Sequence, residues 1–159
     1  MWQRVGRADP RAAALADRHY SRKTPGSKHF TPPGRCMVLY TSTATGEAVW
    51  VTSWPYTEFV KHAWPGAWMC SLFRNENAGI ASELIVAAVE ETVRHFGPPP
   101  DQGMITLIDR RKVRPVIVRG EPVWGWTFRK AGFKVAGETK GKHLVLQWLP
   151  DGSRVEVVA

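Results

Sequence analysis

The chain has 159 residues, 43% of them hydrophobic, and its 22 Lys and Arg against 14 Asp and Glu give a net charge of +8. That length suits one domain, residues 1–159, with a core of its own. No apolar stretch nears the length of a membrane span, and the run at 12–16 is cut off by Asp17, Arg18 and His19, so the expectation is a soluble cytoplasmic protein with no membrane partner.

Asp9-Pro10 reads as the cap and first residue of a helix over 11–20. Residues 21–34, rich in Lys, Pro, Gly and Ser, read as a loop. Strands are expected at 37–42 and 48–54 around a Gly46-Glu47 turn, and a short buried strand at 68–73; residues 55–65 carry no clear pattern. From 80 to 96 the helical period is plain: Ala81, Ile85, Ala88, Val89, Thr92 and Phe96 form one stripe, and Gly97 with three prolines ends it. A buried strand over 104–108 stops at Asp109. A late helix over 122–131, a strand over 144–149 and a short edge strand over 154–158 complete the chain. This order implies an α/β domain with a mixed sheet and a ligand at its strand–helix junctions.

The positive charge favours anionic partners, nucleic acid or coenzyme phosphates, although a solvated basic surface has the same composition. Arg22, Lys23 and Lys28 in the first loop, and Arg110, Arg111, Lys112 and Arg114 after the 104–108 strand, are the nucleic-acid candidates. The turn at 77–82 crosses Gly79 and opens directly onto a helix, whose unpaired N–H groups and dipole suit a phosphate or pyrophosphate. Arg74 beside it either grips a phosphate or pairs with Glu76 or Glu83, and Ser82 is a cap or first-turn hydroxyl. His19 and Tyr20 either close the first helix or serve as proton shuttle and hydrogen-bond donor. Asp109 either faces a ligand crevice, where it orients His19 or takes a proton from an amine, or caps a turn and pairs with Arg110 or Arg111.

Eight tryptophans mostly imply packing; Trp124, Trp126 and Phe30 are the candidates for a pocket wall. Cys36 and Cys70 sit among apolar residues and read as reduced and packed. His29, His62, His95 and His143 are scattered without metal-site spacing, so no resident metal is expected.

The succession of turn, long helix, strand and the segment Phe128-Arg129-Lys130-Ala131-Gly132-Phe133 resembles the GNAT acyltransferase superfamily over residues 36 to 149. The resemblance implies a GNAT-like single domain with a mixed, largely antiparallel central sheet flanked by helices. It also implies acetyl-CoA or a related acyl donor held by Leu72, Arg74, Asn77, Gly79, Ala81 and Ser82. Two positions depart from the family pattern: Glu76 stands where a basic or amide residue is usual, and Phe128 where many members carry a tyrosine general acid.

His19-Tyr20, Arg74, Ser82 (or Ser71) and Asp109 are more narrowly similar to the phage Mom DNA-modification proteins, which convert adenine in DNA to an N6-carbamoylmethyl derivative. That resemblance implies catalytic roles for His19, Tyr20, Arg74 and Asp109, double-stranded DNA as partner, an acyl-CoA-like ligand, a host-cytoplasmic location, and leaves a homodimer open. Adenine N6 is a poor nucleophile, so a base near the amine is expected, either Asp109 or His19. The alternatives are an acetyl-CoA-dependent N-acetyltransferase acting on a small-molecule or protein amine, and a non-catalytic nucleic-acid-binding domain.

Overall fold

The computed structural model describes residues 1–150 and Val157. Asp9 caps α1 (Pro10–Ala16), its carboxylate accepting the N–H groups of Arg11 and Ala12, with Pro10 where a missing N–H costs nothing. The helix is shorter than the 11–20 expected. Arg18 and His19 donate to Leu15 and Ala16, three residues back, and this tightening ends the helix and leaves His19 and Tyr20 in the turn beyond it.

One sheet contains β1 (Gln3–Val5), β2 (Arg35–Ser42), β3 (Glu47–Trp54), β4 (Trp68–Glu76), β5 (Met104–Ile108), β8 (Lys134–Glu138) and β9 (Leu144–Trp148), in the spatial order β1-β2-β3-β4-β5-β9-β8. Every neighbouring pair is antiparallel except β4 and β5, which run parallel and are joined through α2 (Ala81–Phe96). The fold is thus α/β with a mixed, mostly antiparallel open sheet and few helices. β4 and β5 pair only from Trp68–Met104 to Cys70–Thr106, after which the two strands part.

Alternation along the strands builds two main cores and a smaller third cluster of Trp64, Ala67, Ile105, Ala136 and Val145. On one face Leu39, Trp50, Trp68 and Met104 meet Ile85, Ala88 and Val89 of the stripe expected on α2, together with Leu84, which that stripe did not include, while Ala81 is only half-buried. On the other face Val38, Val49, Val51 and Leu72 meet Ala12, Leu15 and Ala16 of α1. Phe30 belongs to this second core, which removes it from the candidate pocket wall. A buried polar chain crosses the first core. Trp50 Nε1 donates to Thr52 Oγ1 at 2.7 Å, Thr52 and Thr92 hydroxyls lie 2.8 Å apart, and Thr92 donates to the Ala88 carbonyl.

The segment expected as one helix over 122–131 divides instead. A hairpin of β6 (Val116–Val118) and β7 (Glu121–Val123) precedes a short helix α3 (Trp126–Lys130). Arg119 and Gly120 both take positive φ, the geometry of a two-residue hairpin turn, and Pro122 lies within β7. Gly125, at φ +70°, starts α3, and a Cβ there would come within 2.3 Å of Leu146 and 2.7 Å of Ile108. β1 and β8 were not anticipated. The strand expected at 154–158 lies outside the described residues except for Val157, which has no regular structure. Among the described residues no helix is long and apolar enough to cross a membrane.

Candidate functional site

The parting of β4 and β5 opens a cavity of about 550 Å³. Cys70, Ser71, Leu72 and Phe73 form one bank, and Thr106, Leu107 and Ile108 the other. Trp126, Thr127 and Phe128 of α3 and Val116 and Val123 of the hairpin close over it, while His19-Tyr20-Ser21, Arg114 and His143 stand around it. Ser71 is a bulge: Val51 pairs with Leu72 and Thr52 with Cys70, so Ser71 has no partner on β3 and the strand bends where the cavity begins.

Of the catalytic candidates, His19 and Tyr20 line this cavity side by side, with ring centroids 4.5 Å apart. Burial, helped by the Arg74 cation, pushes the His19 imidazole down to about 4, so it is neutral at neutral pH. Its Nδ1 accepts the backbone N–H of Ser21 at 3.1 Å and lies 2.7 Å from the Ser21 hydroxyl. A ring nitrogen that accepts a backbone N–H carries no proton, so the neutral ring keeps its hydrogen on Nε2. His19 is therefore built as a donor, and the base role expected of it does not fit this tautomer. The Tyr20 hydroxyl reaches the Leu107 carbonyl at 3.4 Å, and burial raises its pKa, with the Asp109 backbone acting the other way. It too is a neutral donor.

Asp109 ends β5 and is buried, but its carboxylate turns to Arg111: Oδ1 accepts the Arg111 N–H and Nε at 3.0 Å, and Oδ2 accepts Nη2 at 3.3 Å. That pairing holds Asp109 below the ordinary carboxylate range. The capped turn, one of the two readings open in the sequence, is what the chain builds. Asp109 does not line the cavity; His143 does, with Nε2 3.9 Å from Asp109 Oδ2. His143 was passed over in the sequence because no spacing relates it to Asp109; only the antiparallel partnership of β9 with β5, which sets Leu144 opposite Ile108, brings them together.

Arg74 lies outside the cavity lining. Its Nε donates to Glu76 at 2.5 Å and its Nη1 to the Arg18 carbonyl at 2.9 Å. Arg18 grips the same carboxylate with two bonds of 2.7 and 2.9 Å. Arg18 first and Arg74 second push Glu76 down to about 2, so the carboxylate is ionised and held between two cations. Of the other cofactor candidates, Leu72 lines the cavity, whereas Asn77, Gly79, Ala81 and Ser82 form the adjoining turn and helix start. This turn is braced: Asn75 accepts the Ala78 N–H and donates to the Gly79 carbonyl, and Thr45 donates to the Asn77 carbonyl at 2.6 Å. Gly46 packs so closely that a Cβ would fall 1.9 Å from the Glu76 carbonyl oxygen. Ser82 is not the cap, because the N-cap is Ile80, which makes no side-chain capping bond and leaves the first N–H groups of α2 uncapped.

The nucleic-acid candidates divide as well. Arg22 is turned inward, its side chain 6% exposed and spent on Asp17 and the Ser27 and His29 carbonyls; it organises the loop and is not free for a phosphate. Arg110 pairs with Glu138 and Arg111 with Asp109. Lys23, Lys28, Lys112 and Arg114 are exposed, and Arg114 stands at the cavity. Trp126 lines the cavity, whereas Trp124 packs against the core and donates to the Val113 carbonyl. Both cysteines are free; Cys70 is buried and burial raises its thiol. Among the described residues no group of three or more His, Cys, Asp or Glu is placed to hold a metal ion.

Comparison with protein-family models, with curated proteins and with solved structures gives no match.

Proposed function

We propose that this protein is a GNAT-like transferase of the Mom type, which modifies the N6 amine of adenine in DNA. The observation that carries this reading is the cavity at the β4–β5 splay, closed at one side by His19 and Tyr20. Its support is the combination of one parallel pair within an otherwise antiparallel sheet, a bulge at Ser71 on one bank, and an uncapped helix N-terminus where β4 ends.

A donor of the acyl-coenzyme A kind is supported by the way Glu76 is held. Glu76 stood as a repulsive charge at the pyrophosphate turn, and its charge is offset by Arg18 and Arg74. The first N–H groups of α2 would hold the phosphates, and Leu72 and Ser71 would flank the reactive arm. When bound, the donor would supply an electrophilic carbon: its bond to N6 would form as its bond to the coenzyme A sulfur breaks, and the departing thiolate would finally take up the proton that N6 gives up.

The chain's own residues do the rest. Trp126 and Phe128 offer faces to a planar base, and the cavity volume suits one nucleobase with part of a second ligand. His19 Nε2–H orients an acceptor group by donating to it, and the Tyr20 hydroxyl, whose proton is directed at the Leu107 carbonyl, offers its oxygen to a donor such as an amine N–H. The proton leaving N6 passes to His143, whose far side faces the Asp109 carboxylate. Asp109, held by Arg111, contributes a negative charge 3.9 Å from that ring and makes no hydrogen bond to it.

Nucleoside mass spectrometry of DNA from cells expressing the protein tests this reading. A heavier deoxyadenosine is expected, and it should vanish with His19→Ala and with His143→Ala. The paired Glu76 also favours a second reading, acetyl transfer from acetyl-coenzyme A to a small-molecule or protein amine. Unmodified DNA together with acetylated free amines would select that reading.

A further inference from the structure

The β6–β7 hairpin is the one element beside the cavity that neither the cofactor nor the base chemistry uses. It is short and tightly turned, with three residue pairs closed by Arg119-Gly120. Its two faces differ. Val116 and Val123, opposite each other in the register, line the cavity. Ile117 and Pro122, the next pair, project from the other face by strand alternation, and Ile117 is 68% exposed. So bare a side chain on a two-stranded ribbon adds little to the core.

Charge surrounds this apolar face. Lys112 and Arg114 lead into the hairpin and Arg119 sits at its turn, all exposed, against a single carboxylate on the hairpin, Glu121. A thin ribbon with an apolar outer face and cationic flanks matches a base stack framed by phosphates.

We infer that the β6–β7 hairpin is a wedge that enters a DNA duplex and holds it open while one base occupies the cavity. The inference rests on the DNA reading above. The extruded base lies against the Val116–Val123 face, and the base pair it leaves behind packs on Ile117 and Pro122. Lys112, Arg114 and Arg119 hold the phosphates that the opened strand brings close. Extruding a base costs stacking and pairing, and an apolar side chain that fills the gap recovers part of that cost.

The test uses the full chain and duplexes carrying 2-aminopurine in place of adenine, whose fluorescence rises on unstacking. The wild-type protein should raise the signal of a fully paired duplex, and Ile117→Ala should reduce that rise about tenfold while holding DNA affinity within about threefold. Ile117→Leu should behave as wild type. With 2-aminopurine opposite an abasic site, where little stacking is left to break, Ile117→Ala and wild type should respond alike. An equal response of Ile117→Ala and wild type on the paired duplex overturns the wedge. So does an equal loss on both duplexes, which would mark a structural role. Stronger binding of anionic phospholipid vesicles than of duplex would assign the face to lipid and overturn it as well. Modified DNA in cells with a fluorescence rise indifferent to Ile117 sinks the wedge alone. A rise that depends on Ile117, in cells whose DNA stays unmodified, sinks the transferase reading alone.

Discussion

Arg74 and Glu76 stand two residues apart on β4, so strand alternation puts them on one face, where Nε and Oε2 meet at 2.5 Å. Burial first, and the same guanidinium second, depress the neighbouring imidazole of His19. One carboxylate thus tempers the field that a cavity residue feels. Replacing Glu76 with Gln should leave Arg74 uncompensated and move the His19 pKa still lower, read by the NMR titration of its ring protons. The broken pairs should also cost about 1 kcal/mol in urea unfolding. An unchanged His19 titration would separate the two groups.

His19 itself gives a pH dependence. Its folded pKa of about 4 lies below the ordinary 6.5, so the unfolded chain binds the proton more readily. Stability from this group is complete above pH 6.5 and is lost as the pH falls from 6.5 towards 4, by on the order of 2–3 kcal/mol. The loss should be absent in His19→Gln, measured by denaturation at stepped pH. A wild-type curve parallel to that of the variant across this window would contradict the assignment.

Gly125 is fixed by both its backbone and its neighbours. Gly125→Ala forces a side chain onto a positive φ and against the methyl groups of Leu146 and Ile108. A loss of about 2–3 kcal/mol is expected, with α3 displaced from the cavity. Thermal unfolding measures the first, and tryptophan emission, through Trp124 and Trp126, reports the second.

Thr92→Val removes a hydroxyl from the chain linking Trp50, Thr52 and Ala88 while keeping the shape. Thr52 keeps the Trp50 donor, so the loss should stay near 1–2 kcal/mol. Equilibrium urea unfolding is the measurement, and a stabilised variant would show that the polar chain is dispensable.

DNA binding should weaken steeply with salt. Lys112→Ala and Arg114→Ala should each reduce the slope of log affinity against log salt by about 1, because each removes one phosphate contact. Arg22→Ala should leave that slope alone, since its donors are spent inside the loop. Fluorescence anisotropy across a salt series distinguishes the two groups.

Much of the framework was legible because it is periodic. The α2 stripe and the strands at β2, β3, β5 and β9 announce themselves through apolar spacing. The β6–β7 hairpin did not, because Trp124, Phe128 and Ala131 mimic a helical face while the turn lies in Arg119-Gly120, a pair whose positive φ is no strong signal for arginine. At the site, His19 and Tyr20 were legible as either helix-end residues or proton shuttle and donor, but their place at the cavity and the proton on His19, which depends on the Ser21 N–H, are revealed only by the turn. The turn capped by Asp109 and Arg111 is local and stood among the readings of the sequence, whereas the approach of Asp109 to His143 depends on strand pairing across 34 positions, beyond any local pattern.

The short seam between β4 and β5 has a mechanical meaning. Seven strands share one sheet, yet its middle is stitched by only three residue pairs, Trp68–Met104 to Cys70–Thr106. Beyond that seam the two half-sheets are separate banks, bridged at the cavity by nothing in the ladder. A ligand that touched both Leu72 and Leu107 would act as the missing rung, so the molecule should unfold as a more cooperative unit when filled than when empty.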